Sequence, residues 1–498
     1  MSLRLHNTLS GQVEPLTPSE PGHFRIYVCG PTVYDYSHIG HMRSALTYDV
    51  LVRHLRSQGK RVTFVRNITD VDDKILNRAK ERGETPAQLA QRFEAAYRED
   101  TQTLGMLAPD IEPRVSDHIG EIVALIEKLI TRGAAYASQG DVYFSVASFP
   151  DYGKLSHRKL EDLELGRSGR LDDQDQTRKQ HPADFALWKG ASSEDPTAWE
   201  SPWGKGRPGW HIECSAMSMR YLGESFDLHG GGLDLVFPHH ENEIAQSEAA
   251  TGKQLCSSWV HHGFIEVNKE KMSKSLGNFF TARECFKRLE PEAMRYFVLT
   301  VHYRAPLALD WTVDDAGEVT GFPQMEEAER RIEYLYRTKI RLAELPEARI
   351  VTTGPATAAL LAFREQLTKS LDDDLNMPLA LAATAELLKG TNDLVERALA
   401  KKGQVPQASV DAAREGFALI GRVLGLGNGD PHVVLERIRA RRAQRLGITE
   451  AYVLEQIDAR KQARADRDFA RADAVRDALL TRGVELMDSP SGTTWRIG

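Results

Sequence analysis

Short apolar runs and helical periods alternate along the first part of the chain. Residues 24–30 form an apolar run that ends at glycine, and residues 61–66 form a second one, so both predict buried strands. Between them, apolar side chains recur at helical spacing over residues 41–54. A strand, a helix and a second strand in succession form the unit from which parallel sheets are built. We therefore predict a parallel sheet in the N-terminal domain.

The pattern of this domain is interrupted further along. Residues 85–133 predict two helices and residues 134–149 predict a hairpin, whereas residues 151–210 are irregular and polar. Short strands and glycine turns return after this stretch. We therefore predict an α/β domain over residues 1–315 that contains an insertion at about 115–205.

Beyond residue 315 the pattern becomes helical. Heptad-like periods rich in Ala, Leu, Glu and Arg continue with little strand signal, which predicts a helical bundle over residues 316–425. Residues 425–431 are rich in glycine and predict a linker. A small Arg-rich domain is predicted over residues 431–498.

The composition excludes several classes of protein. The 498 residues are 41% hydrophobic and 27% charged, which provides ample apolar material for several cores. No apolar run predicts a membrane-spanning helix or a signal peptide. Four scattered cysteines are too few for a disulfide framework. We therefore expect a cytoplasmic protein without a membrane partner, with these cysteines as thiols or metal ligands: Cys29, Cys214, Cys256 and Cys285.

Charge is distributed unevenly along the chain. The net charge is −7, yet residues 431–498 hold 13 Lys or Arg against 10 Asp or Glu. Arginines between Arg437 and Arg445 supply much of this excess. A basic tail on an acidic body predicts contact with a polyanion at that end. A solvated helix face has the same charge pattern, so both interpretations stand.

Two short segments carry residues that suit phosphate chemistry. His38 and His41 lie where the first predicted helix begins, and a helix N-terminus binds anions. Lys271 and Lys274 belong to the segment Lys-Met-Ser-Lys-Ser, and their ammonium groups suit a triphosphate. Taken singly, a chance string and a solvated loop are the commoner explanations of these segments, but both in this order, about 230 residues apart, favour a phosphate site. A Walker-type loop is lacking, so an ordinary P-loop site is not predicted.

A third segment offers metal ligands. His239 and Glu243 are four residues apart in an apparent helix and share one of its faces. Imidazole, carboxylate and thiolates together suit tetrahedral zinc. Cys29 and Cys214 are the candidate thiolates, because strand ends of a parallel sheet converge on one crevice. A helix face with a hydrogen-bonded histidine explains the same spacing. The residue order excludes the His-Glu-x-x-His metalloprotease motif.

These segments are also where the sequence resembles a known family. Residues 38–41 and 271–275 match the HIGH and KMSKS signatures of class I aminoacyl-tRNA synthetases, and their surroundings are very similar to cysteinyl-tRNA synthetases. The resemblance covers nearly the whole chain and is weaker in the helical bundle. It is most specific over residues 24–80 and 203–280, which contain the stretches 28–35, 67–74, 209–214, 226–235 and 237–243, and it resumes at residues 492–496.

The resemblance implies a Rossmann-like catalytic domain with an insertion, then an α-helical bundle and a small C-terminal anticodon-recognition domain. The catalytic residues it implies are His38, His41, Lys271 and Lys274. For ATP it implies Gly30, His38, His41, Gly231, Asp234 and Lys274, and for cysteine it implies Thr69, Trp210 and His229. The zinc ligands it implies are Cys29, Cys214, His239 and Glu243.

The implied activity is ATP-dependent activation of L-cysteine, with Mg²⁺ and release of pyrophosphate, followed by transfer to the 3′-terminal adenosine of tRNA(Cys). One zinc ion per chain is expected to select the cysteine thiolate over serine, so that no editing domain is needed. The chain is expected to be a monomer. We expect the arginines at 437–445 to contact phosphates and Trp495 to stack on a base.

Two other functions are weighed against this one. A related ligase activates cysteine identically but transfers it to an amino sugar, and the long region after residue 320 argues against it. A noncatalytic tRNA-binding protein conflicts with the intact signatures.

The sequence departs from the family in two places. One is the segment 372–378 in the helical bundle, and the other is the polar stretch over residues 166–182, which is somewhat long. Cys256 and Cys285 match no zinc position and are expected to be ordinary thiols.

Overall fold

A four-stranded parallel sheet lies at the centre of the N-terminal part of the molecule. The computed structural model describes residues 2–159, 178–192, 195–267, 270–271, 280–315, 319–489 and 492–497. The sheet consists of β3 (His23–Val28), β4 (Arg61–Arg66), β9 (Phe226–Gly232) and β10 (Cys256–His262). Its spatial order is β10–β9–β3–β4, and every neighbouring pair is parallel. The predicted parallel sheet and α/β fold class are therefore confirmed.

The described residues of this part of the chain form six α-helices. The first connects β3 to β4, as predicted, and is buried along most of its length. The third begins at a capping box between Thr85 and Gln88, with Pro86 in its first turn. The six are α1 (Ile39–Ser57), α2 (Asp73–Arg82), α3 (Pro86–Thr103), α4 (Ile119–Thr131), α5 (Trp210–Leu222) and α6 (Glu241–Thr251).

An antiparallel sheet follows α4. Its strands are β5 (Ala135–Ser138), β6 (Asp141–Phe144), β7 (Phe185–Gly190) and β8 (Gly206–Pro208), in that spatial order. The predicted hairpin is present, and Gln139 and Gly140 both have positive φ in its turn. The prediction that residues 151–210 are irregular is wrong where β7 and β8 form. The signal for β7 was the short apolar run around Leu187 and Trp188, which are both buried. Residues 160–177, with most of the 166–182 stretch, lie outside the described residues.

The second half of the described chain is mainly helical. Two helices, α7 (Ala282–Arg288) and α8 (Pro291–Leu299), precede four long ones that share a core with the parallel sheet. These four are α9 (Pro323–Ala343), α10 (Ala358–Asp372), α11 (Met377–Leu399) and α12 (Gln407–Val423). Gly427, in the predicted linker, donates its N–H to Glu292 of α8 at 2.8 Å, so this segment is packed against the fold.

The C-terminal residues form a small cluster of helices and a hairpin with a core of their own. It contains α13 (Pro431–Arg445), α14 (Glu450–Ala465), α15 (Phe469–Thr481), β18 (Val484–Ser489) and β19 (Gly492–Ile497). The remaining strands are β1 (Arg4–Asn7), β2 (Gln12–Pro15), β11 (Ile265–Val267), β12 (Glu270–Lys271), β13 (Leu307–Ala308), β14 (Thr312–Val313), β15 (Val319–Gly321), β16 (Ile350–Val351) and β17 (Val405–Pro406). Within the described ranges, no helix is both long enough and apolar enough to span a membrane.

The arginines of α13 pair with carboxylates of the chain itself. Arg437 and Arg441 both lie 2.6 Å from Glu290 at the start of α8. Arg442 lies 2.9 Å from Glu329 of α9. The expectation that these arginines contact phosphates is therefore not supported, because internal ion pairs already use their guanidinium groups. Their partners are far away in sequence, so composition alone did not reveal them.

Trp495 is also used inside the fold. Its side chain is only 7% exposed, and the Arg439 guanidinium lies 4.5 Å from the centre of its ring. This cation–π contact covers the indole and holds β19 against α13. The expected base stacking on Trp495 is therefore wrong.

Candidate active site

The carboxyl ends of the parallel strands open onto one cavity of about 300 Å³. This is where open α/β sheets bind their ligands. The cavity is lined by nine residues that the sequence singled out: Cys29, Gly30, His38, His41, Thr69, Trp210, Cys214, Asp234 and His239. The sequence-predicted residues of this site therefore converge to a large extent.

The two histidines of the first signature lie against each other at the start of α1. Their rings stack with centroids 3.7 Å apart, and His38 is the N-cap residue of the helix. The Nδ1 atom of His41 accepts a hydrogen bond from the His38 backbone N–H at 3.3 Å. Both imidazoles therefore face the cavity at the positive end of a helix dipole, which suits an anionic group.

The described chain that follows the second signature, from Phe280 onward, is tied to the same helix start. The N–H of Ile39 donates to the carbonyl of Phe280 at 3.3 Å, and the N–H of Ala282 donates to the carbonyl of Ser37 at 2.8 Å. These bonds bring the chain that follows the lysine-rich segment next to the histidine pair. The backbone of Lys271 ends β12, whereas its side chain and all of Lys274 lie outside the described residues.

Gly30 permits the close approach of two strand ends. Its N–H donates to Asn67 Oδ1 at 2.8 Å, and a Cβ at this position would lie 1.5 Å from the Asn67 carbonyl oxygen. Only glycine fits there. As a result, Cys29 after β3 and Thr69 after β4 reach the same cavity.

The four predicted metal ligands converge on one point. The Cys29 and Cys214 Sγ atoms are 3.6 Å apart, and Glu243 Oε1 lies 3.7 Å from Cys29 Sγ and 3.1 Å from His239 Nε2. All four donor atoms lie within 4.8 Å of one another. Donors bonded at about 2.0–2.3 Å to a tetrahedral zinc ion are separated by roughly 3.3–3.8 Å. The donor types and their spacing therefore fit zinc.

A second group of donors overlaps the first. His229 and His240, with Cys29 and Glu243, also lie within 4.8 Å of one another. The two groups differ in access, because Cys214 and His239 line the cavity and His229 and His240 do not. A metal that receives a substrate needs an open position, so the first group is the better candidate.

His229 and Gly231 occupy other places than the sequence analysis assigned to them. His229 is fully buried, its Nε2–H donates to Glu243 Oε2 at 2.8 Å, and its ring stacks on Trp259. It therefore orients a candidate metal ligand and does not line the pocket. A side chain at Gly231 would meet the His240 ring at 2.7 Å, so this glycine serves close packing. Both corrections arise because side chains alternate along β9, which places residues 229 and 231 on the face that packs against His240.

Charges in the cluster are strongly coupled. Burial raises the pKa of Glu243, but the neighbouring His229 and His239 outweigh it and lower this pKa to about 2. Burial likewise opposes protonation of His239, yet Glu243 and Cys214 raise its pKa to about 9. The hydrogen bond from Cys29 lowers the pKa of Cys214 to about 6, against the effect of burial. One proton is thus held between the two thiols, and a second lies on His239.

The histidines behind the cluster were not predicted from the sequence. His239 Nδ1 lies 3.1 Å from His211 Nδ1, which leaves Nε2 directed at Glu243. On the other side, His261 Nε2 lies 2.8 Å from His240 Nδ1. Partners of this kind fix the orientation of metal-binding imidazoles. For His261 the available signal was a pair of histidines at the end of β10, directly after Trp259 and Val260.

Comparison with known proteins agrees with this geometry. Residues 15–316 match the family described as the tRNA synthetases class I (C) catalytic domain. The chain is 51% identical to the cysteine–tRNA ligase of Anaeromyxobacter sp. (strain K) and 45% identical to that of Geobacter metallireducens, over all of both chains in each case. The chain belongs to the cysteine–tRNA ligase family. It is therefore a class I aminoacyl-tRNA synthetase, as the sequence resemblance implied.

Solved structures show the same fold in other members of this class. The methionyl-tRNA synthetase of Mycobacterium tuberculosis, in complex with methionyl-adenylate, superimposes with a TM-score of 0.60 at 16% identity, covering 86% of this chain and 94% of that one. The Agrobacterium radiobacter K84 LeuRS, in a ternary complex, gives a TM-score of 0.57 at 13% identity, covering 86% of each chain. This member of the cysteine–tRNA ligase family thus shares the Rossmann-like architecture of class I synthetases.

Proposed function

We propose that this chain activates L-cysteine with ATP and Mg²⁺, and then transfers it to the 3′-terminal adenosine of tRNA(Cys). The observation that carries the proposal is that one cavity joins a Cys/Cys/His/Glu donor set to a stacked histidine pair at a helix N-terminus. The donor set suits recognition of a thiol, and the histidine pair suits a phosphate. Membership of the cysteine–tRNA ligase family supports the presence of a thiol site and a phosphate site in one cavity.

Activation requires positioning and charge stabilisation. The carboxylate of the amino acid is already a nucleophile, so no general base is needed when it attacks the α-phosphate. His38 and His41, at the N-terminus of α1, are placed to stabilise the charge that develops on that phosphate. Lys271 and Lys274 are proposed to neutralise the leaving pyrophosphate. Gly30 and Asp234 line the same cavity and are proposed to contact ATP.

Selection of cysteine is assigned to the donor set. Cys29, Cys214, His239 and Glu243 would hold one Zn²⁺, and the bound ion supplies a preference for thiolate over hydroxyl ligands. An apolar pocket separates near-isosteres by only about 10- to 200-fold. Thr69 and Trp210 line the cavity beside these donors, and the Trp210 ring stacks on His239 at 4.2 Å. Both side chains are proposed to orient the amino acid.

Recognition of tRNA is assigned to the turn between α14 and α15. Phe469 begins α15 with its side chain 63% exposed. Arg467 and Arg471 are exposed and lie within two residues of it in the chain. An exposed ring among guanidinium groups suits stacking on an unpaired base next to phosphates. This turn replaces Trp495 as the proposed base-binding element.

Charging of total tRNA with labelled cysteine and ATP, with serine in parallel, tests the proposal. Charging with cysteine alone is expected. Cysteine-dependent ATP–pyrophosphate exchange without charging would contradict the tRNA acceptor and favour the amino-sugar ligase. We further propose that the chain acts as a cytoplasmic monomer without a membrane partner, and light scattering of the pure protein checks its mass against 55.7 kDa.

A further inference from the structure

The chain after β6 forms a loop over residues 152–158, which packs against the segment that carries two candidate metal ligands. That segment consists of the turn at residues 236–240 and the start of α6, and its donors are His239 and Glu243. Glu241, the first residue of α6, lies between these donors in the chain. Its side chain is fully buried, and the scheme above gives it no role.

The Glu241 carboxylate accepts hydrogen bonds from three backbone N–H groups of the loop. Gly153 donates to Oε1 at 3.0 Å, Leu155 donates to Oε1 at 3.3 Å, and Ser156 donates to Oε2 at 2.7 Å. Backbone N–H groups that converge in this way form a nest for an anion. A side chain without acceptors at this position would leave three buried donors unpaired.

The loop is built to present these donors. Gly153 has a φ of +99°, and a Cβ there would lie 1.9 Å from the Arg158 carbonyl oxygen, so only glycine fits. The Arg158 N–H donates to the Gly153 carbonyl at 3.2 Å, which closes the loop. Leu155 is fully buried and anchors its centre. The three donors are therefore preorganised for the carboxylate.

The same loop holds the residues on either side of Glu241. The Tyr152 hydroxyl donates to Asn242 Oδ1 at 2.5 Å. The Arg158 guanidinium lies 4.6 Å from the centre of the Phe237 ring, which is a cation–π contact. The loop thus contacts the ligand-bearing segment before, at and after Glu241.

Glu241 and Glu243 are two positions apart in a helix, so their side chains leave it in different directions. Glu243 Oε1 lies 3.1 Å from His239 Nε2 in the donor set, whereas Glu241 is bonded to the loop. The first turn of α6 is therefore held between the loop and the donor set. A rotation or shift of this turn would move the donors, and a metal site tolerates displacements of only about 0.5 Å.

We infer that Glu241 is a positioning residue for the metal: by binding the loop at residues 152–158, it fixes the turn that carries His239 and Glu243. The inference rests on the proposed function, because it takes a metal ion in the Cys/Cys/His/Glu donor set as the ligand. It makes a loop of the insertion part of the metal site, although residues 152–158 do not line the cavity.

Two variants remove the contact from opposite sides. Glu241→Gln keeps the size of the side chain but removes its charge and turns an amide NH₂ toward the loop donors. Gly153→Ala displaces the loop and leaves α6 unchanged. Lys154→Met is the matched control, because it breaks an ion pair between the same loop and Glu248, about two helical turns further along α6.

Metal-free protein is titrated with Zn²⁺ and Co²⁺ against a chromophoric chelator, and the visible spectrum of the Co²⁺ complex is recorded. Glu241→Gln and Gly153→Ala are each expected to weaken metal binding about 10- to 100-fold and to alter the thiolate-to-Co²⁺ absorption bands. The double variant should bind about as weakly as either single one, because both remove one contact. Lys154→Met should stay within about twofold of the wild type.

Wild-type affinities and Co²⁺ spectra in both Glu241→Gln and Gly153→Ala would overturn the inference, even if both variants unfold at lower temperature. Glu241 would then serve stability alone. A wild type that binds neither metal would refute the proposed donor set and this inference together. A wild type that binds metal but shows no cysteine-dependent ATP–pyrophosphate exchange would contradict the proposed function, and the comparison of affinities would still decide the role of Glu241.

Discussion

The Glu290 carboxylate, which is 2% exposed, lies 2.6 Å from the guanidinium groups of both Arg437 and Arg441. Glu290 is the N-cap residue of α8, and both arginines belong to α13. In the same helix α8, the buried Arg295 pairs with Asp49 of α1. Helix α8 therefore connects the C-terminal cluster to the helix that begins with the histidine pair.

Glu290→Gln is expected to destabilise the protein by about 1–3 kcal/mol, since two guanidinium groups lose their charged partner at a buried position. The partial exposure of Arg437 limits this cost. Differential scanning calorimetry measures the change. Glu327→Gln, which removes the exposed partner of Arg330 and Arg331, is the matched control and should cost less than about 0.5 kcal/mol. Equal effects of the two substitutions would refute the structural role of the Glu290 pairs.

Cys214→Ser is expected to lose bound metal and cysteine activation together. A missing ligand should cost more than the roughly 10- to 100-fold seen when only the supporting hydrogen bonds of a metal site are removed. Metal content by mass spectrometry and cysteine-dependent ATP–pyrophosphate exchange measure both effects. Cys285→Ala removes another buried thiol, away from the cavity, and should leave both unchanged. Full cysteine activation by metal-free Cys214→Ser protein would refute the thiolate mechanism.

Metal uptake is expected to release protons and to strengthen as the pH rises. His239, with its pKa near 9, must lose a proton to bind, and the Cys29–Cys214 pair must lose the one it shares. Glu243, with its pKa near 2, contributes none. Between pH 7 and 8 the affinity should therefore rise by up to about 100-fold per unit. Isothermal titration calorimetry in buffers of different ionisation enthalpy counts the protons, and a count of zero would contradict this charge arrangement.

Phe469→Ala is expected to lower kcat/KM for tRNA charging by about 5- to 150-fold, since stacking on one base contributes about 1–3 kcal/mol. ATP–pyrophosphate exchange should be unchanged, because Phe469 belongs to the C-terminal cluster, whose core contains no residue of the parallel sheet. Leu361→Ala truncates another exposed apolar side chain, in α10, and serves as the control. Parallel losses in charging by both variants would argue against a specific contact at Phe469.

How well the sequence predicts each residue of this site depends on whether the pattern that marks it lies within a few residues or depends on the folded sheet. Cys29 ends an apolar run and His239 precedes Glu243 by one helical turn, so local patterns placed these residues, and the convergence of parallel strand ends joined them. His229 and His262 carry similar signals, since each lies in or at the end of an apolar strand. Only the sheet register shows that the first packs behind the cluster and the second faces the cavity.

The arginines of α13 could not be assigned partners from the sequence. Arg442 lies 113 residues from its partner Glu329, and Arg441 lies 151 residues from Glu290. A charge run in sequence does not reveal whether its partners are solvent, phosphate or distant carboxylates of the same chain. The arrangement of helices decides among them, and here it selects the carboxylates.

The order of the strands also has a consequence for biosynthesis. Cys29 and Cys214 meet in the folded protein although they are 185 residues apart. At about 5–20 residues per second, the ribosome synthesises the second thiol roughly 10–40 s after the first. Until β9 emerges, β3 has only β4 as a neighbour, and Cys29 has no companion ligand. Assembly of the donor set therefore requires synthesis through Glu243, and an ion captured there marks a nascent chain in which β9 has already joined β3.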